Sequence, residues 1–185
     1  MGVMPGGVSK REYLDYHIRS SLAEGSRFDL IAMGRGEGQG CYCAVNHNLR
    51  DVIDSMSKHY AYVVIDNEAG MEHLSRHTTR DVQHLLIVSD PTQRGLVAAR
   101  RIADLTRDLN IRIQHSHLIV NRVQSAELPA PLQAQIEKTA VPLLGVIPAN
   151  TDLTTFEFSG KPLVDLGDDS PVYQAVDRMM DQILN

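Results

Sequence analysis

His84-Leu85-Leu86-Ile87-Val88-Ser89-Asp90-Pro91 is an apolar run of strand length that ends on a carboxylate and a proline. From Gly95 to Leu109 the period changes, and Leu96, Ala99, Ile102, Ala103, Thr106 and Leu109 recur at the spacing of one buried helical face. His117-Leu118-Ile119-Val120 is apolar again and ends in Asn121-Arg122. Strands that are apolar throughout, rather than at alternate positions, are buried on both faces. A helix between two of them is the crossover that parallel pairing needs.

The same alternation extends in both directions. Downstream, Leu132 and Ile136 mark a short helix, Leu143 to Ile147 a strand closed by Pro148, and Ser170-Pro171 the N-cap and first residue of a helix through Val172, Val176, Met179 and Ile183. Upstream, Ser9-Lys10-Arg11-Glu12 has the form of a capping box, opening a helix with Leu14, Ile18 and Leu22 inward and Gly25 as its stop. Phe28 to Met33 reads as a short strand and Asn48 to His59 as a helix. Ala61-Tyr62-Val63-Val64-Ile65-Asp66 reads as a buried strand, and Glu72 to Asp81 as a helix. The expected fold class is α/β, a parallel sheet with helices on both faces. Ligands of such sheets gather at the carboxyl ends of the strands, which here carry Gly34, Asp66, Asp90, Asn121 and Pro148.

Composition narrows the function. The chain has 185 residues, 43% hydrophobic and 22% charged, enough for one domain with a real core. Its net charge of -5, with no basic run of five or more, speaks against bulk attraction to nucleic acid or an anionic membrane. Aromatic residues are 5% and tryptophan is absent, so no base-stacking platform is expected. No apolar run approaches membrane-spanning length and no signal peptide is visible, which makes a reducing cytoplasm the expected location.

The two cysteines stand at Cys41-Tyr42-Cys43, directly behind Gly34-Arg35-Gly36-Glu37-Gly38-Gln39-Gly40. On an extended backbone, thiols at i and i+2 point to the same side. They supply half of a four-ligand soft-metal site, and a second copy of the chain could supply the other half across a two-fold axis. The competing reading is a pair of buried, inert thiols acting as small hydrophobes. A disulfide between the two would close too short a ring.

Asp66, at the end of an apolar strand, has the form of a Walker B carboxylate; it equally fits an N-capping or turn aspartate. His115 and His117 are spaced like a ligand pair but read more simply as the polar side of a strand edge. Arg100-Arg101 reads as a solvated helix face, and Met179-Met180 as core or interface.

Ile65-Asp66-Asn67-Glu68-Ala69-Gly70-Met71-Glu72-His73-Leu74-Ser75-Arg76, with the glycine ladder and Cys41-Tyr42-Cys43 upstream, resembles the accessory ATPases that mature nickel-containing carbon monoxide dehydrogenase. These are MinD- and ParA-like dimeric ATPases with a deviant Walker A motif. Asp90-Pro91-Thr92 with Gly95-Leu96, Val120-Asn121-Arg122-Val123 and Gly145-Val146-Ile147-Pro148 extend the resemblance over about residues 9–184. It implies that Cys41 and Cys43 bind zinc or nickel at a homodimer interface, and that Asp66 is the switch II carboxylate that senses magnesium and the γ-phosphate. It also implies that Asn121, with Arg122 beside it, reads the adenine edge, and that Pro148 and the loop through Asn150 wall the adenine pocket. The implied client is carbon monoxide dehydrogenase.

One departure is large. The family opens with a glycine-rich phosphate loop carrying two lysines, whereas the four lysines here are Lys10, Lys58, Lys138 and Lys161 and none sits in a G-x-x-x-x-G-K-S/T stretch. The glycine ladder runs into Cys-Tyr-Cys rather than into a helix. Residues 1–185 are therefore expected to form a single incomplete P-loop NTPase-like domain, the C-terminal part of a longer architecture without its P-loop strand. ATP hydrolysis by this chain alone is not expected. The expected function is the metal-binding part of the nickel-insertion ATPase. The alternatives are a non-enzymatic metal-carrying or scaffold protein without nucleotide function, and a plain interaction domain with inert cysteines.

Overall fold

The computed structural model describes residues 10–32, 53, 55–67, 81–109, 112–125 and 127–184. The chain divides into two compact units, Met1–Arg80 and Asp81–Asn185. In the first, helix α1 (Lys10–Ser20) is followed by strands β1 (Leu22–Ala23) and β2 (Leu30–Ile31), which pair antiparallel with Leu22 opposite Ile31. A 3₁₀ turn spans Ser57–His59, and beyond it the Tyr60 hydroxyl donates to the Asp29 carboxylate. That bond, together with the carboxylate's charge, raises the pKa of Tyr60.

The second unit holds the sheet. Strands β3 (Asp81–Ser89), β4 (Arg112–Val123) and β5 (Leu143–Pro148) lie in that order, both pairings parallel. Helix α2 (Gln93–Asp108) joins β3 to β4, and α3 (Ala130–Glu137) joins β4 to β5. Helices α4 (Thr151–Phe158) and α5 (Pro171–Leu184) follow. Ile87, Leu118 and Val120 from the sheet pack with Leu96, Ala99 and Ala103 of α2, Ile136 of α3 and Val141 into one buried cluster. Burying side chains the size of Leu96 or Leu118 stabilises by about 1.5–3 kcal/mol each. On the other side α5 packs on β5 with Ala175 and Met179 buried. Gly145 makes this approach possible, because a Cβ there would stand 2.6 Å from Met179 Sδ and 2.7 Å from its Cγ.

The α/β reading and the parallel sheet hold, with several corrections. β3 starts at Asp81 and β4 at Arg112, both earlier than the apolar runs suggest. Asp81 and Arg112 are register partners joined by an exposed ion pair, and alternation with polar residues conceals these strand starts. Residues 61–66, expected as a buried strand, belong to no strand and are exposed, Val64 by 91%. An apolar run becomes a strand only where a neighbour satisfies its backbone groups, and no described strand pairs with this one. On α5 the buried face is carried by Ala175 rather than Val176. The expected helix at Glu72–Asp81 lies outside the described residues up to its last position, where Asp81 is strand.

Candidate functional site

Three chain segments end together at the carboxyl rim of the parallel sheet. At the end of β3, the Ser89 hydroxyl donates to the carbonyl of Asp90 at 2.9 Å. Asp90 Oδ1 accepts both the backbone N–H of Thr92, at 3.1 Å, and its hydroxyl, at 2.6 Å. Thr92 is in turn the N-cap of α2, its Oγ1 accepting the Gly95 N–H at 3.0 Å. This turn folds locally because Pro91 favours an extended residue before it and a side-chain oxygen satisfies an N–H the helix leaves free. Gly95 is required, since a Cβ would run into the Asp90 carboxylate and stand 2.7 Å from Ser89 Oγ.

At the end of β4 the register with β5 shifts, with Val120 opposite Val146 and Val123 opposite Pro148. Two residues of β4, Asn121 and Arg122, thus span one of β5, as in a β-bulge. Arg122 takes a left-handed backbone, φ +60°, and its N–H is held by Asn121 Oδ1 at 2.8 Å. A non-glycine residue in that region stores about 1–2 kcal/mol of strain, which neighbouring structure must hold in place. Both donations from Thr92 hold the Asp90 carboxyl below the usual carboxylate range, and the Arg122 guanidinium lowers it further. At the third rim, Ala149 N–H donates to Val123 O at 2.9 Å, and Asn150 caps α4 by accepting the Leu153 N–H at 2.7 Å.

The structure therefore brings Asn121, Arg122, Pro148 and Asn150 to one end of one sheet, beside Asp90. The Asn150 side chain already serves as a helix cap, a role the sequence reading missed because α4 itself was missed. Asp66 belongs to the first unit and is exposed. Cys41 and Cys43 lie outside the described residues. Among the described residues no three His, Cys, Asp or Glu side chains are grouped to hold a metal, and no helix is long and apolar enough to cross a membrane.

A polar rim at the carboxyl ends of a parallel sheet, with a bulge and a capped helix N-terminus, is the arrangement in which doubly wound proteins bind phosphorylated ligands. No family model matches the chain. It is 37% identical over 182 residues to a Methanocaldococcus jannaschii protein named as an uncharacterised ATP-binding protein, covering 98% of this chain and 72% of that protein. It superposes with a TM-score of 0.70 on the ParA family ATPase of Chlorobium tepidum TLS, 18% identical, covering 92% of this chain and 69% of the other. The chain belongs to the MinD/ParA-like family of ATP-binding proteins. Its fold is the P-loop NTPase-like α/β fold of those proteins. A further solved member, septum site-determining MinD of Pyrococcus horikoshii OT3 complexed with Mg-ADP, superposes with a TM-score of 0.62 at 19% identity, over 98% of this chain and 75% of that one. This MinD/ParA-like chain is also 33% identical over 142 residues to the carbon monoxide dehydrogenase accessory protein CooC of Rhodospirillum rubrum. That match takes in 74% of this chain and about half, 52%, of CooC.

Proposed function

We propose that this MinD/ParA-like chain is the metal-binding part of a nickel-insertion accessory ATPase that serves carbon monoxide dehydrogenase. Cys41 and Cys43 hold zinc or nickel across a homodimer interface. The observation that carries this reading is the Cys41-Tyr42-Cys43 pair behind its glycine ladder, in a chain 33% identical to CooC over 142 residues. Two thiolates from each of two copies complete the tetrahedral set that zinc prefers and that soft thiolate chemistry favours.

In the complete architecture, ATP with magnesium would be recognised at the carboxyl rim. Asn121 and Arg122 would contact the adenine edge, and Pro148 and Asn150 would form the pocket wall. The bulge supports this by turning Asn121 and Arg122 out of the regular ladder. Residues 1–185 would then act within one P-loop NTPase-like domain, in the cytoplasm. With none of the four lysines in a G-x-x-x-x-G-K-S/T stretch, a metal carrier or scaffold without nucleotide chemistry is the second reading.

Replacing both cysteines tests the metal-binding reading. Cys41→Ser with Cys43→Ser is expected to give a monomer that has lost the ion shared at one per two chains, by light scattering and elemental analysis. A dimer that keeps its metal in that variant contradicts it.

A further inference from the structure

Parallel register places His84 of β3 directly beside His115 of β4, and His117 two residues on lies on the same face. The three rings form a cluster. His84 stacks on His115 at 5.2 Å between centroids and on His117 at 5.3 Å, and His115 and His117 are 6.3 Å apart. His84 Nδ1 and His117 Nε2 approach to 3.1 Å, one ring donating and the other accepting. By strand alternation this face is turned away from the Ile87, Leu118 and Val120 core. His84 and His117 are half-buried and His115 is exposed.

We propose that His84 and His117, with His115, bind one late first-row divalent ion of the zinc, nickel or copper class. Two imidazole nitrogens on a tetrahedral ion, each at about 2.0–2.1 Å, stand about 3.3 Å apart. The two facing nitrogens are already within a few tenths of an ångström of that separation, so the ion replaces their shared proton once both rings turn their lone pairs from each other toward it. As they stand, the three rings do not converge on one point. The exposed His115 ring supplies the third nitrogen by rotating about its side-chain bonds, and water fills the remaining position. Imidazole donors select zinc, nickel or copper over magnesium and calcium, which require oxygen ligands. At about 3.3 Å per residue, His117 and His84 lie roughly 13–20 Å from Asn121 and Asp90, so the site is separate from the carboxyl rim. Nor does it use Cys41 or Cys43.

The test titrates the untagged, reduced full chain with CoCl₂ and, by calorimetry, with ZnCl₂. In the Cys41→Ser/Cys43→Ser background about one equivalent is expected to bind with micromolar affinity, giving weak visible cobalt bands and no near-ultraviolet thiolate charge transfer. Adding His84→Gln and His117→Gln is expected to weaken that binding by about ten-fold or more, and His115→Gln by a smaller factor. Unchanged affinity in the His84→Gln/His117→Gln chain, or no binding in the cysteine-free parent, overturns the proposal. Should the variants lose their far-ultraviolet circular dichroism, the unsubstituted chain decides. Paramagnetically shifted imidazole N–H resonances are expected with one cobalt per chain, and their absence overturns the proposal as well.

Discussion

The Asp90 carboxylate accepts two hydrogen bonds from Thr92, and the Thr92 hydroxyl that donates one of them also caps α2 through the Gly95 N–H. One side chain thus ties the end of β3 to the start of the helix that carries Leu96, Ala99 and Ala103 into the core. Thr92→Ala is expected to cost about 1 kcal/mol of stability in denaturant unfolding, the usual loss for an N-cap.

The same contact sets a pH dependence. The carboxyl of Asp90 is held below its ordinary value of about 3.9, so the unfolded chain binds the proton more readily. Stability from this group is present above that value and is lost as pH falls through the lowered native one. Asp90→Asn should flatten that part of the acid-unfolding profile, and Thr92→Ala should move the Asp90 carboxyl titration upward by NMR. An Asp90 titration that does not move in Thr92→Ala contradicts the assignment.

Gly145 and Met179 make a second testable pair. Gly145→Ala inserts a methyl group against Met179 Sδ and is expected to cost about 1–3 kcal/mol as overpacking of a tight contact. Met179→Ala alone should cost about 2–5 kcal/mol, because that side chain is buried. In the Met179→Ala background, Gly145→Ala should cost close to nothing, since the clash is gone; additive costs in the double variant contradict the packing.

Residues 84–89, 117–120 and 143–147 were legible because they are nearly continuous apolar runs, and α2 because it has one clear buried stripe. Leu96, Ala99, Ala103 and Thr106 are buried as the spacing requires, and Ile102 packs at the edge. Helix α4 escaped notice because it is short, with Leu153 and Phe156 only half-buried, and its start is marked by Asn150 alone. Residues 61–66 misled because hydrophobicity shows what can pair, not whether a neighbour is there. At the rim, the residue types at the strand ends were readable. The left-handed backbone of Arg122 and the bulge around it were not, because both come from the register of β4 on β5. The histidine cluster was half visible: His115 and His117 stand two apart, but His84 joins them only through strand register.

Weak nucleotide binding follows from the lysines. Phosphate recognition in this fold uses backbone N–H groups at a helix N-terminus and a lysine on the phosphates. With none of the four lysines in such a stretch, ATP with magnesium should bind this chain at millimolar affinity or weaker. Micromolar affinity by calorimetry contradicts this.

Metal content and molar mass, measured together on the reduced protein by size exclusion with light scattering and elemental analysis, test the interface metal site most directly. A dimer carrying about one zinc or nickel per two chains, beyond any ion held by the histidines and removable with Cys41→Ser/Cys43→Ser, is the expected result. A monomer with no cysteine-dependent metal would contradict it.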